Sequence, residues 1–196
     1  MNHSYNMKNL DTYILEKLVI DNKIKKFYVP KTKEELIENI IEVMENAPKK
    51  RDVDLNCIDV SNITDMTSVF STVNKTCKYK VYKIDVSTWD VSNVKTMKNM
   101  FTGCKYLETD VSSWDTSNVE DMQGVFFGCE RFNSGFDNWK VDKCKSFVGM
   151  FAGCEKLDTD LSHWDLTDIE SSKMKWMFSR VHRIVNTRLP VGFKKV

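Results

Sequence analysis

The sequence predicts an α/β solenoid: a short superhelix of about four to five stacked repeats behind a helical N-terminal cap. Three observations carry that expectation. Tryptophan recurs at 89, 114, 139 and 164, a period of 25 residues. A hydrophobic-Phe pair and then a Gly-Cys pair follow the first three of these tryptophans at fixed offsets. A unit this short cannot bury its apolar side alone, so neighbouring units must stack to make a core.

The register extends well beyond the tryptophans. Asp85-Val86-Ser87-Thr88-Trp89-Asp90-Val91-Ser92-Asn93-Val94 is restated as Asp110-Val111-Ser112-Ser113-Trp114-Asp115-Thr116-Ser117-Asn118-Val119. A degenerate third copy runs from Gly135 to Cys144, and Asp160-Leu161-Ser162-His163-Trp164-Asp165 returns to type. Each then enters a second block. Met97, Met100-Phe101, Gly103-Cys104 and Leu107 correspond to Met122, Val125-Phe126, Gly128-Cys129 and Phe132, and to Phe147, Met150-Phe151, Gly153-Cys154 and Leu157. A half-copy, Asp59 to Phe70, lies 31 residues ahead of its equivalent, the six extra residues falling between Ser71 and Tyr82. After Ile169 the spacing slips by two, so Met177-Phe178 takes the pair's place.

Within a unit, Val94, Met97 and Met100-Phe101 are three and four apart, which predicts one face of a short helical or 3₁₀ segment. Ser92 or Asn93 stands where a side chain caps such a turn, and Gly103 where a left-handed residue ends it. Leu107, Thr109 and Val111 alternate as in a short extended stretch. The repeated tryptophans form a core ladder, each burying on the order of 150–250 Å² and contributing roughly 4–6 kcal/mol as an upper bound. Cysteines stand at 57, 77, 104, 129, 144 and 154 without a C-x-x-C pair, and histidines only at 3, 163 and 182. That pattern predicts buried, reduced thiols and no structural zinc.

Residues 1–52 read as an N-terminal cap, 53–178 as the repeats and 179–196 as a basic C-terminal cap or tail. In the cap, Leu10, Tyr13, Ile14 and Leu18 suggest one amphipathic helix, and the stretch from Ile24 to Val29 a short strand. Thr32 with Glu35 makes a capping box opening a second helix through Leu36, Ile40 and Met44, which Pro48 ends.

The text from Trp89 to Phe101, Trp-Asp-Val-Ser-Asn-Val-x-x-Met-x-x-Met-Phe, resembles the BspA-like leucine-rich-repeat family in its 25-residue subtype. That subtype is found in bacterial surface proteins, mycoplasma lipoproteins and some phage or large-virus proteins. The resemblance covers approximately Val53 to Phe178. It implies a leucine-rich-repeat-like solenoid used for adhesion or other protein contacts, with no catalytic residues. The signal peptide, anchor and long arrays of surface members are not seen. The lead-in through Lys31-Thr32-Lys33-Glu34-Glu35-Leu36 looks like that of short free-standing members, including phage-carried ones. The resemblance therefore favours an intracellular or phage-encoded binder, or inhibitor, of a host protein.

Composition narrows the functional classes. Net charge is +1 and 29% of residues are charged, so bulk electrostatics select neither nucleic acid nor an acidic substrate. No apolar run reaches the roughly 18 residues that span a bilayer, and the start lacks the features of a secretory signal. The expected location is the cytoplasm, a host's if the chain is phage-encoded, with surface exposure if a signal was removed. P-loop, G-x-S-x-G, H-E-x-x-H and G-x-G-x-x-G motifs are missing, so neither an enzyme nor a cofactor is expected. Asp85, Asp110 and Asp160 supply one carboxylate per turn, too sparse for calcium, and bond turn backbones instead.

The expected function is a non-enzymatic protein–protein interaction module. Its predicted contact surface is the varying place before each tryptophan, Thr88, Ser113, Asn138 and His163, with Glu108 and Thr109 beside it. Beyond Glu170 come Lys173, Lys175, Arg180, Arg183, Arg188, Lys194 and Lys195 and no acidic residue. Such a run suits phosphate or an acidic partner, which opens a second reading as a nucleic-acid-associated module. A surface or virion structural protein, adhesin-like, is the third.

Overall fold

Parallel backbone pairing at the sequence period sets the architecture. The computed structural model describes residues 28–49, 51–184 and 188–193. The helix predicted on Leu10 to Leu18 lies outside them, as do Lys194 and Lys195. Of the predicted strand at Ile24 to Val29, Tyr28 pairs in parallel with Ile58. The helix predicted from the capping box forms as α1 (Lys33–Asn46). Glu35 N–H donates to Thr32 Oγ1 at 3.1 Å, and the Glu35 carboxylate accepts from Lys31 N–H at 2.7 Å. Its reciprocal bond thus falls one residue earlier than in the usual box. Leu36, Ile40 and Met44, four apart, are its buried stripe. Ala47 closes the last turn ahead of Pro48. Lys33 Nζ reaches Asp65 at 2.7 Å, fastening α1 to the first repeat.

Strand β1 (Asp52–Asp54) pairs in parallel with β2 (Lys83–Asp85), joining residues 31 apart. Single parallel bridges continue the register: Asp65 to Thr96 across the long unit, then Lys83 to Glu108 and Thr96 to Asp121 across 25 residues. The same offset governs the Met-Phe block. The N–H groups of Met97, Asn99, Phe101 and Gly103 donate to the carbonyls of Asp121, Gln123, Val125 and Phe127 at 2.8–3.0 Å. Those of Met122, Gly124, Phe126 and Gly128 donate to Ser146, Val148, Met150 and Ala152. Phe147, Gly149, Phe151 and Gly153 do the same to Lys173, Lys175, Met177 and Ser179.

The block is not the short helix that its spacing predicts. Only its first copy is α-helical, as α2 (Val69–Thr76), and its last begins with a 3₁₀ turn at Ser171–Met174. In between, successive turns close from residue i to i+3, as in Met100 N–H to Met97 and Cys104 N–H to Phe101. Linked turns share the three-and-four spacing of a helix face, so side-chain periodicity cannot separate the two. A left-handed residue interrupts each copy: Ser68, Asn99, Gly124, Gly149 and Trp176, with φ between 54° and 61°. That break turns alternate N–H groups outward to the next unit. The expected cap at Ser92 or Asn93 differs too: Ser92 donates to Asp90, and Asn93 Nδ2 donates to Ser61 O.

The core lies along the same axis. Trp89, Trp114, Trp139 and Trp164 are each at most 3% exposed. Trp114 and Trp139 stack at 6.2 Å, and Trp139 and Trp164 at 6.4 Å. A parallel phenylalanine column runs Phe70, Phe101, Phe126 and Phe151, with centroids 4.7, 5.5 and 5.8 Å apart. In the degenerate third unit Phe132 and Phe136 replace Leu107 and Val111, both fully buried. All six cysteines are free thiols. Cys129 and Cys154 donate to the carbonyls of Phe101 and Phe126 at 3.1 Å.

The repeated aspartates hold turns. Asp54, Asp59, Asp65, Asp85, Asp90, Asp110, Asp115, Asp121, Asp160 and Asp165 each accept the N–H two residues on. The Ser112 N–H and hydroxyl hold the Asp110 carboxyl below its ordinary value, and those of Ser117 do so for Asp115. A carboxyl depressed by folding contributes stability above its unfolded pKa, and that contribution fades as pH falls through its native value. Urea midpoints are therefore expected to stay level above about pH 5 and to drop at lower pH. The Asp110→Asn, Asp115→Asn pair should flatten part of that drop; an unchanged acid limb would refute the assignment.

Candidate interaction surface

The structure brings Thr88, Ser113, Asn138 and His163 into one exposed column, one per unit. Each is tied to the unit before it. Thr88 N–H and Oγ1–H donate to Asn56 Oδ1, both at 2.9 Å. Ser113 Oγ donates to Ser87 O at 2.9 Å, Asn138 Nδ2 to Ser112 O at 3.0 Å, and His163 Nε2 meets Phe136 O at 3.3 Å. These side chains vary in type, yet all carry a hydrogen-bond donor, which the column uses to latch neighbouring units. Glu108 is exposed at its bridge to Lys83. Thr109 is half-buried, its hydroxyl enclosed without a partner.

His163 disturbs a bond the other units make. Trp89, Trp114 and Trp139 donate Nε1–H to the carbonyls of Leu55, Val86 and Val111 at 2.8–3.2 Å. By register Trp164 would use Phe136 O, the carbonyl His163 engages, and its buried indole N–H has no partner. An unsatisfied buried donor costs about 1–3 kcal/mol. His163→Ser, the residue present at 113, is expected to free that carbonyl and raise stability by about 1 kcal/mol. A raised urea midpoint with a downfield shift of the Trp164 indole proton would establish it. An unmoved indole signal would not be compatible with the displacement.

The basic segment is presented to solvent: Lys173, Lys175, Arg180, Arg183 and Arg188 are all exposed. Arg188 pairs with Asp158 at 2.6 Å. Among the described residues the other four form no ion pair.

Two exposed aromatics were not singled out by sequence. Phe127 is 50% exposed and Trp176 66%. The Phe127 ring lies 3.5 Å from where a Cβ on Gly149 would stand. Trp176 occupies the Gly149 place in the next unit, so both rings belong to one face. Trp176 adopts φ 56° and Arg180 φ 60°, repeating the left-handed conformations of Gly149 and Gly153 without being glycine. Such a backbone costs a side-chain-bearing residue roughly 1–2 kcal/mol. The signal was present in the sequence: allowing for the two-residue slip aligns Trp176 with Asn99, Gly124 and Gly149.

Nothing in this surface organises a reaction centre. A shallow hollow of about 330 Å³ is lined by Glu120, Asp142, Lys143, Cys144, Lys145 and Ile169. Burial pushes the Cys144 thiol up to about 12, and Lys145 pairs with Glu120 at 2.6 Å. Tyr82 and Tyr106 stack at 5.0 Å, with Arg51 over one ring and Arg131 over the other, so their ring faces are covered. Among the described residues no cluster of His, Cys, Asp and Glu could hold a metal ion, and no helix is long and apolar enough to cross a membrane.

Neither the curated proteins nor the solved structures contain a match to the chain. Residues 73–189, more than half of the chain, match a family described as Mycoplasma protein of unknown function, DUF285. That stretch runs from α2 through the Trp, Met-Phe and Gly-Cys columns to the basic segment. The chain belongs to the DUF285 family.

Proposed function

We propose that this chain is a non-enzymatic protein–protein interaction module. In this reading its units form a short α/β solenoid of leucine-rich-repeat type, of the BspA-like 25-residue subtype, and a partner binds the face bearing Phe127 and Trp176. The observation that carries it is the exposure of these two aromatics in a chain whose other tryptophans are at most 3% exposed. Exposed large apolar side chains, and Trp above all, are the usual anchors of protein interfaces. Trp176 also stands in a backbone conformation that glycine would adopt without strain, and strain kept at one exposed place is characteristic of functional positions.

The test compares the folded wild-type chain with a Phe127→Ala, Trp176→Ala variant, both immobilised against lysate. A protein retained by the wild type and lost from the variant, then reconstituted as a complex from purified components, would support the reading. A folded wild type that retains nothing the variant does not would sink it.

One observation favours a second reading. Lys173, Lys175, Arg180 and Arg183 are exposed and unpaired among the described residues, as a phosphate-binding surface requires. A nucleic-acid-associated module would bind with an affinity falling steeply with salt and would fail on reversal of these charges.

A further inference from the structure

We propose that the last repeat presents an open backbone edge that takes an extended, acidic segment of a partner protein as an added layer. This rests on the reading of the chain as a protein-binding module, and it names where binding occurs and by what chemistry.

The edge follows from the ladder. At each internal boundary, alternate N–H groups of one unit donate to carbonyls of the next, ending with Gly149, Phe151 and Gly153 on Lys175, Met177 and Ser179. Moved on by one unit, the donors are Trp176, Phe178 and Arg180, and their N–H groups have no acceptor among the described residues. Their backbone is set as it is inside the stack. Trp176 has φ 56° against 54–61° at Asn99, Gly124 and Gly149, and Arg180 has φ 60° against 70–77° at Gly103, Gly128 and Gly153. The edge is therefore preorganised, and its occupant must supply carbonyls at alternate residues, as an added strand does.

Charge selects the occupant. Lys173, Lys175, Arg180 and Arg183 surround these donors, and no acidic residue follows Glu170. At the Asp121 place, an occupant in the internal register sets its side chain beside Lys173, so carboxylates there are favoured. A second copy of the chain is a poor continuation. The corresponding first unit is α2, whose carbonyls at Ser68 and Val73 already receive N–H groups of its own turn, and α1 is fastened beside it.

The probe is a synthetic peptide of the chain's own residues 119–128, which carries Glu120 and Asp121 and supplies this carbonyl pattern internally. It is titrated into the ¹⁵N-labelled full chain. Saturable shifts, with amide exchange at Trp176, Phe178 and Arg180 slowed about tenfold or more, would support the proposal. So would about tenfold weaker binding by a Lys173→Glu, Lys175→Glu variant. Unprotected amides in a folded chain at saturating peptide would overturn it. Protection by a uridine dodecamer but not by the peptide would do the same, assigning the edge to nucleic acid. Protection that grows with chain concentration alone would assign it to self-association and also overturn it. Should a partner be captured through Phe127 and Trp176 while these amides stay unprotected, the edge proposal fails and the interaction module stands.

Discussion

Trp114→Ala is expected to cost about 3–5 kcal/mol of unfolding free energy, a large part of the roughly 5–15 kcal/mol that holds a domain folded. Trp114 is 1% exposed and lies mid-ladder, 6.4 Å from Phe101 and 6.2 Å from Trp139 by ring centroid. Truncation removes a large buried ring and leaves a cavity that flanking units cannot fill without shifting the backbone pairing between them. The lost indole bond is the smaller part, because Val86 O still accepts Trp89 N–H. Trp176→Ala is the matched control, since its ring is 66% exposed; the expected change is within about 0.5 kcal/mol. Urea unfolding of the two variants decides the matter. If Trp114→Ala lost less than about 1 kcal/mol, the tryptophan column would not be the core.

What the sequence made legible was burial. Side chains that recur because they are enclosed, such as Trp114, Phe126 and Cys129, announce themselves by identity, and the 25-residue register of backbone pairing follows them. Bonding by interchangeable groups was hidden. Thr88, Ser113, Asn138 and His163 differ in name and so resemble a freely varying surface, while their shared donor capacity latches each unit to the one before. The Met-Phe block misled for a related reason: linked turns place apolar residues three and four apart just as a helix does. The left-handed residue that separates the cases is glycine at 124 and 149 but Asn99 and Trp176 elsewhere. Trp176 was masked twice, by the two-residue slip and by its resemblance to a core residue.

Gly192→Ala is expected to release the C-terminal segment from the stack and leave the middle units folded. Gly192 has φ 76°, and a Cβ there would stand 2.5 Å from Thr167 Cα, 2.6 Å from Thr167 N and 2.9 Å from Leu166 C. All three are backbone atoms, so no rotamer relieves the clash; either the segment or the turn at Thr167 must move. Against that displacement stand three bonds: Leu161 N–H to Arg188 O, Leu166 N–H to Val191 O, and Val191 N–H to Trp164 O. Each contributes a net 0.5–1.5 kcal/mol or so, while a left-handed alanine alone costs roughly 1–2 kcal/mol before the clash is counted. The segment is the cheaper part to give way, lying at a free end and paired along one side. Amide exchange at Leu161 and Leu166 should then quicken about a hundredfold, equivalent to roughly 2.7 kcal/mol of lost protection. Trp164, now 1% exposed, should redden its emission, and Phe193 should leave Phe178, 5.0 Å away by ring centroid. Amides around Trp114 should exchange as in the wild type, because distant units share no partner with the segment. Leu161 and Leu166 exchanging at wild-type rates in the alanine variant would show that residues 188–193 do not cover this end of the stack.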